Sequence, residues 1–117
     1  MSAAATPRPD LRPVMALDLI QARHEREAPA SRKSFAIDLP FHQQLMARAL
    51  PHHEYPLLRR LHDYLADAEI SSCELADLHA ELKRLEARFT DPAEIRGFSL
   101  FVAQVIADGD NLYAVAD

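Results

Sequence analysis

The spacing of apolar residues predicts that most of the chain after residue 39 is helical. A first helix is expected over residues 39–50, because Pro40 suits a first helical turn and Pro51 ends the segment. Its apolar positions at helical spacing are Leu45, Met46 and Leu50. A second helix is expected over residues 55–67, with Pro56 in its first turn and one stripe of leucines: Leu57, Leu58, Leu61 and Leu65.

Two longer helices are predicted next, and both carry terminal signals. The segment 71–89 opens with a capping box, in which Ser71 caps the helix and Glu74 reaches back from three residues on. Its apolar residues form one continuous seam: Leu75, Leu78, Leu82, Leu85 and Phe89. The last helix starts at Asp91-Pro92 and stops at Gly109. It is expected to be the most buried element because of its dense apolar set: Ile95, Phe98, Phe101, Val102, Val105 and Ile106.

Residues 15–39 leave two interpretations open. One is a short helix that would use Leu17, Ile20 and His24. The other is a pair of short strands, ALDLIQA and SFAIDL, around the polar loop REAPAS. The second run is the better strand, because one of its sides is apolar: Phe35, Ile37 and Leu39. A small hairpin is therefore favoured.

Together these elements predict a mainly α, compact four-helix bundle-like domain with a short N-terminal β-hairpin. The run DNLYAVAD is expected as an extended end that packs back through Leu112, Tyr113 and Val115. At 117 residues the chain is long enough for one domain, expected over residues 15–117. Residues 1–14 hold three of the eight prolines, so a disordered tail is expected there, and Met15 is a candidate start of translation.

Charge is unevenly distributed along the chain, and this distribution indicates which class of partner the chain can bind. Residues 1–34 carry six Lys or Arg against four acids, whereas residues 35–117 carry seven against fourteen. A part this acidic repels phosphate backbones, so a basic protein surface is the expected partner, and nucleic acid is not. No apolar run is long enough to span a bilayer, and the N-terminus lacks the apolar core of a secretory signal. The prediction is a cytoplasmic protein with no membrane partner.

Three histidines near the middle of the chain offer a candidate metal site. His52 and His53 precede Glu54 in a predicted loop between two prolines, and His62 is followed by Asp63. Adjacent side chains point apart, and the i, i+4 pairing of HExxH is absent, so a metal would need ligands from elsewhere. A small metal-binding enzyme or sensor that uses His52, His53 and His62 is the alternative hypothesis. The favoured interpretation is surface histidine, with no metal, no cofactor and no catalytic residue.

A run of one-signed charge extends from Leu61 to Leu82, where six acids occur with no Lys or Arg. These acids are Asp63, Asp67, Glu69, Glu74, Asp77 and Glu81. An ordinary solvated surface is one interpretation. The other is an acidic recognition surface, with Tyr55 and Tyr64 at its edge, because tyrosine is a favoured anchor in protein interfaces.

The same region carries a resemblance to a known group of proteins. The runs Tyr55–Leu61, with the sequence YPLLRRL, and Asp63–Asp67, with the sequence DYLAD, are followed by Glu74-Leu75, Leu78, Glu81-Leu82 and Leu85. This pattern resembles small bacterial immunity proteins associated with polymorphic or contact-dependent toxins, which have a YP-L-x-R-L-x-DYY-x-D type core. Further similarity lies in Met15–Leu19, Phe35–Ile37 and Ala116-Asp117, so the likeness covers about residues 15–117. Leu65 departs from the pattern, where a second tyrosine is expected.

The resemblance implies a non-enzymatic protein that binds and neutralises a cognate toxin. Joined to the charge pattern, it predicts that the six acids, Tyr55 and Tyr64 contact a basic toxin surface. A second alternative is a homo-oligomeric helical scaffold, in which the seam from Leu75 to Phe89 is buried between chains. The chain is expected as a monomer or a homodimer.

Overall fold

The structure, a computed structural model, describes residues 16–116 and has an α+β fold. About 53% of the described residues are helical, and about 19% lie in the strands of a four-stranded antiparallel sheet. The strands are β1 Leu17–Ala22, β2 Ser34–Ile37, β3 Ala68–Ile70 and β4 Asn111–Ala116. The α-helices are α1 Leu39–Arg48, α2 Leu75–Glu86 and α3 Ala93–Asp108. Short 3₁₀ segments cover Glu25–Ala30, His52–Glu54, Leu58–Leu61 and Ser72–Glu74. The prediction of a mainly α, four-helix bundle-like domain is wrong.

The sheet has the strand order β2-β1-β4-β3. β1 and β2 pair as the hairpin alternative predicted, with Leu17 opposite Ile37 and Leu19 opposite Phe35. The C-terminal run is also extended, but it is a central strand that lies between β1 and β3. A bundle fails as a description because this run joins the two ends of the described chain, with Leu17 opposite Ala116.

One face of the sheet packs on the helices. This inner face, formed by Leu17, Leu19, Ile37, Leu112 and Ala114, belongs to one continuous apolar core with the helices. The whole seam of α2 and the residues after it, from Leu75 to Phe89, is buried in the same core. The seam is therefore covered within the chain, which removes the surface on which the homo-oligomeric scaffold depended.

The terminal signals of the last two helices are confirmed. The capping box of Ser71 and Glu74 is present, with a 3₁₀ turn leading directly into α2. α3 begins one residue after Pro92 and ends at Gly109, whose φ of 72° lies in the left-handed region that glycine favours. α1 also forms close to its predicted bounds, with Asp38 as its N-cap: the side chain accepts the N–H of Phe41 at 2.9 Å.

The predicted second helix is wrong, because residues 55–67 form only a 3₁₀ turn at Leu58–Leu61 followed by further turns. In an α-helix, the carbonyl of Leu61 would accept the N–H of Leu65. Here the Leu61 carbonyl accepts a bond from His42 Nε2 at 2.7 Å, and the Leu65 N–H donates to Asp63 Oδ1 at 2.9 Å. Side chains thus satisfy the backbone groups that a helix would pair.

Two expectations lie outside the described residues: the disordered tail over residues 1–14 and Met15 as the start of translation. Within residues 16–116, no helix is long and apolar enough to cross a membrane.

Candidate functional site

Two members of the predicted acidic surface, Tyr55 and Glu81, lie in the interior. Tyr55 is 1% exposed, and the guanidinium groups of Arg84 and Arg88 lie 5.2 and 5.6 Å from its ring centre. Glu81 is 3% exposed, and its carboxylate accepts the backbone N–H groups of residues 57 and 58, at 3.2 and 2.9 Å. Glu81 thereby satisfies a buried turn, which is a role in the fold. Neither side chain belongs to the surface that a partner reaches.

Glu74 is partly exposed, but its charge is already paired. Arg60 donates to both of its carboxylate oxygens, at 2.8 and 2.6 Å, and Ser71 donates to it through both hydroxyl and backbone. The Arg60 guanidinium, followed by the Ser71 bonds, lowers the pKa of Glu74 to about 2. Glu74 therefore stabilises the start of α2 and contributes little net charge to the surface.

The remaining predicted residues stay within reach of solvent. Tyr64 is partly buried, with its ring 5.0 Å from that of His42. Asp67 is exposed and accepts the N–H of Ala116 at 2.9 Å, which ties the turn before β3 to the end of β4. Asp63, Glu69 and Asp77 are exposed. The structure thus separates the six acids into four exposed ones, one paired one and one buried one.

Two of the exposed acids border a groove on the outer face of the sheet, the face that the helices do not cover. This outer-face groove has a volume of about 470 Å³. The apolar residues that line it are Ile20, Ala28, Pro29, Ala68, Tyr113, Ala114 and Val115. Three carboxylates line it as well: Glu25, Asp67 and Glu69. The groove therefore combines an apolar lining with an acidic border, although the acids come from distant parts of the chain.

The groove exists because β4 is apolar on both faces and Ile20 of β1 adds apolar surface beside it. In β4, Leu112 and Ala114 face the helices, while Tyr113 and Val115 face the other way. The 3₁₀ segment Glu25–Ala30 folds over part of this outer face, so that Ala28 packs with Ala22 and Tyr113 in a small second cluster. The segment is held at its end by the Ser31 hydroxyl, which donates to the Gln21 carbonyl at 2.6 Å. Within residues 16–116, this short segment covers only part of the outer face, and the groove lies on the rest of it.

The sequence signal for this face is the absence of polar alternation in NLYAVA, the sequence of β4. Strands that are apolar on both faces are typical of sheets covered on both sides. The predicted site residues do not include the apolar residues of the groove, because the site was predicted from the run of acidic residues.

The electrostatic character of the groove follows from its border. Among the described residues that line it, none is Lys or Arg, while three are carboxylates. Arg60 lies close by, with its guanidinium 3.4 Å from the Glu69 carbonyl, but its charge is paired with Glu74. One-signed charge beside a low-dielectric surface creates a potential that attracts groups of opposite charge. The groove is thus suited to an apolar group that is accompanied by positive charge.

A second acidic cluster, at the end of α3, is satisfied within the chain. Gln21 Nε2 donates to Asp108 at 2.7 Å and to Asp110 at 2.8 Å, and Lys33 pairs with Asp108 at 3.2 Å. The Gln21 amide, then Gln104 and Lys33, lower the pKa of Asp108 to about 2. This cluster joins β1 and the β1–β2 connection to the end of α3.

The candidate metal ligands are not brought together. His52 and His53 are exposed in the 3₁₀ turn His52–Glu54, and His62 is exposed with its Nδ1 donating to the Arg59 carbonyl at 2.9 Å. Within residues 16–116, no three His, Cys, Asp or Glu side chains are grouped so that they could hold a metal ion. The structure therefore lends no support to the metal-binding alternative.

The chain was compared with protein-family models, with curated proteins and with solved structures, and none of the three comparisons finds a match.

Proposed function

We propose that this chain is an immunity-type protein that binds a cognate bacterial toxin and neutralises it. The observation that carries the proposal is the outer-face groove, where the predicted partner-binding residues Asp67 and Glu69 border an apolar surface. Protein interfaces combine an apolar centre with a polar rim in this way. The resemblance to toxin-associated immunity proteins supplies the class of partner.

The proposed activity is binding, and the exposed acids set its physical basis. Asp63, Asp67, Glu69 and Asp77 are exposed within one stretch of chain that holds no Lys or Arg. Their potential would speed encounter with a basic toxin surface and oppose encounter with an acidic one. A toxin that acts on nucleic acid has a basic substrate site, and carboxylates can occupy the positions that phosphates would take. One molecule of this chain would then neutralise one toxin molecule by covering its substrate site.

The first test is the gene neighbourhood and the growth phenotype that it predicts. We expect a large open reading frame with a variable C-terminal domain beside this gene. That domain, expressed alone from an inducible promoter, should arrest bacterial growth, and co-expression of the full chain should restore it. A metabolic operon in place of the toxin gene, or growth arrest that the full chain does not relieve, would contradict the proposal.

The second test asks whether the exposed acids carry the binding. The variant Asp63→Lys with Glu69→Lys should bind the toxin domain at least about tenfold more weakly and with a smaller dependence on salt. The matched control, Glu54→Lys with Glu94→Lys, changes the net charge equally at exposed positions outside the acidic run. Equal affinities and equal salt dependence for the two variants would show that charge alone, without position, governs binding.

A further inference from the structure

We infer that the outer-face groove binds an apolar segment of a protein partner that is flanked by Lys or Arg. This inference rests on the proposed function, which it deepens by stating the chemistry of the partner segment that is recognised. The supporting observations are the apolar lining of the groove, the carboxylates at its border and the repulsion expected between two copies of the chain.

The lining calls for apolar side chains. Ile20 and Val115 are only partly buried, and they lie beside the ring of Tyr113, which is 6% exposed. On the other face of β4, the neighbouring residue Leu112 is fully buried. Apolar surface removed from water stabilises a complex by roughly 25 cal/mol per Å², so this uncovered face favours any apolar group that fits it. The volume of about 470 Å³ falls within the range of about 300–1,000 Å³ that is usual for binding pockets.

The border calls for positive charge on the same segment. Glu25 belongs to the 3₁₀ segment between β1 and β2, whereas Asp67 and Glu69 lie just before and within β3. The carboxylates therefore come from two chain segments that both line the groove. Lys or Arg on either side of an apolar centre would complement this arrangement, whereas an uncharged or acidic segment would not.

Charge also decides between a partner and a second copy of this chain. Two copies that met through their grooves would bring two sets of the same three carboxylates together. Like charges that oppose each other in an interface destabilise it. The groove residues themselves supply no Lys or Arg to offset that repulsion. The complementary occupant is therefore a basic protein segment.

The experiment measures binding of three synthetic peptides to the isotopically labelled full chain by NMR titration. The first peptide has a Leu-Phe-Leu centre flanked on both sides by lysines. The second has the same centre flanked by glutamates, and the third has the lysines with serines in place of the centre. We expect the first to bind at least about tenfold more tightly than either of the others, with amide shifts at Ile20, Glu69, Tyr113 and Val115.

Variants test whether those shifts report the groove. Glu25→Lys with Glu69→Lys should weaken the first peptide at least about tenfold, which corresponds to about 1.4 kcal/mol. Val115→Thr, which is similar in shape but adds a hydroxyl, should weaken it several-fold without unfolding the chain. Glu54→Lys with Glu94→Lys is the matched control, and it should alter the affinity by less than about twofold. Circular dichroism confirms that each variant is folded.

The outcomes separate this inference from the proposed function. Equal binding of the three peptides, or shifts that lie away from the groove, would overturn the inference. A dimer whose dissociation follows Val115→Thr would also overturn it, in favour of a second copy as the occupant. Growth rescue that the Glu25→Lys with Glu69→Lys variant leaves intact would retain the immunity function but overturn the groove as its site. If the first peptide binds in the groove but the wild-type chain does not rescue growth, the groove inference is retained and the immunity function is overturned.

Discussion

The two faces of the sheet are built from the same strands but differ in how fully they are buried. On the inner face, Leu17, Leu19 and Leu112 have no exposure to solvent because the helices cover them completely. On the outer face, the 3₁₀ segment Glu25–Ala30 is the only part of residues 16–116 that lies over the strands, and Ile20 and Val115 are partly exposed. The inner face supplies the stability of the fold. The outer face retains apolar surface that a partner can cover, which is the difference expected between a core and an interface.

The largest expected effect compares one substitution on each face of β4. Leu112→Ala leaves a cavity in the core and should lower the free energy of unfolding by about 2–5 kcal/mol. Val115→Ala removes partly exposed methyl groups and should cost less than about 1.5 kcal/mol. Urea unfolding followed by circular dichroism measures both values. Equal losses would mean that the outer face is as fully packed as the inner one.

The next comparison is between two acids of the same predicted surface. Glu81→Gln replaces a buried carboxylate oxygen with an amide group that cannot accept a backbone N–H, and it should cost about 1–3 kcal/mol. Glu69→Gln, at an exposed position, should change stability by less than about 0.5 kcal/mol. The same unfolding measurement tests both. A neutral effect of Glu81→Gln would argue against its role in holding the turn at residues 57 and 58.

A pH series sharpens the distinction between a paired and an unpaired acid. The pKa of Glu74 falls from an ordinary value of 4.5 to about 2 in the folded chain, with the Arg60 bonds as the main cause. The folded state favours the ionised form of this carboxylate more than the unfolded state does. The carboxylate therefore makes its full contribution to the free energy of unfolding above pH 4.5. The contribution is lost as the pH falls towards about 2. Glu74→Gln should therefore be less stable than wild type at neutral pH and should converge with it near pH 2.

The control for the pH series is Asp77→Asn on the exposed side of α2. At neutral pH it should change the free energy of unfolding by less than about 0.5 kcal/mol, because the position is exposed. Asp108, whose pKa is also lowered to about 2 by Gln21, Gln104 and Lys33, contributes in the same direction. A difference between Glu74→Gln and wild type that stayed constant from neutral pH to pH 2 would contradict the proposed pairing.

The smallest expected effect on stability is at the border of the groove. Glu25→Gln with Glu69→Gln should change the free energy of unfolding by less than about 0.5 kcal/mol, because both positions are exposed. If the proposed function holds, the same variant should nevertheless slow association with the proposed toxin partner and reduce the salt dependence of the association rate. Stopped-flow kinetics at two salt concentrations measures this. A large decrease in the free energy of unfolding with an unchanged association rate would mean that these acids stabilise the fold and do not take part in binding.

Much of the helical structure was predictable from the sequence because its signals are local. Pro40 and the apolar spacing marked α1, the capping box marked the entry to α2, and Gly109 marked the end of α3. The predicted helix over residues 55–67 had the same leucine spacing but failed. Its Leu61 carbonyl accepts a bond from His42, in α1, and no local pattern contains that partner.

The sheet and the candidate site were less predictable for the same reason. β3 has three residues, too few for a periodic signal, and it exists as a strand through its pairing with β4. Of the six acids, the sequence alone could not distinguish Glu81, which the fold buries, from Glu69, which it leaves exposed. Burial is decided by elements distant in sequence, and charge pattern contains no information about them.

By itself, the sequence determined the approximate bounds of three helices, the extended form of the C-terminal run and the acidic balance of residues 35–117, and it favoured a hairpin within residues 15–39 without deciding it. These properties depend on neighbouring residues within a few turns of the backbone. Only the tertiary structure decided that the C-terminal run is a central strand and that Asp67 and Glu69 meet Glu25 around an apolar groove. Strand pairing and side-chain burial join residues far apart in the chain, and their energies arise only when those residues meet.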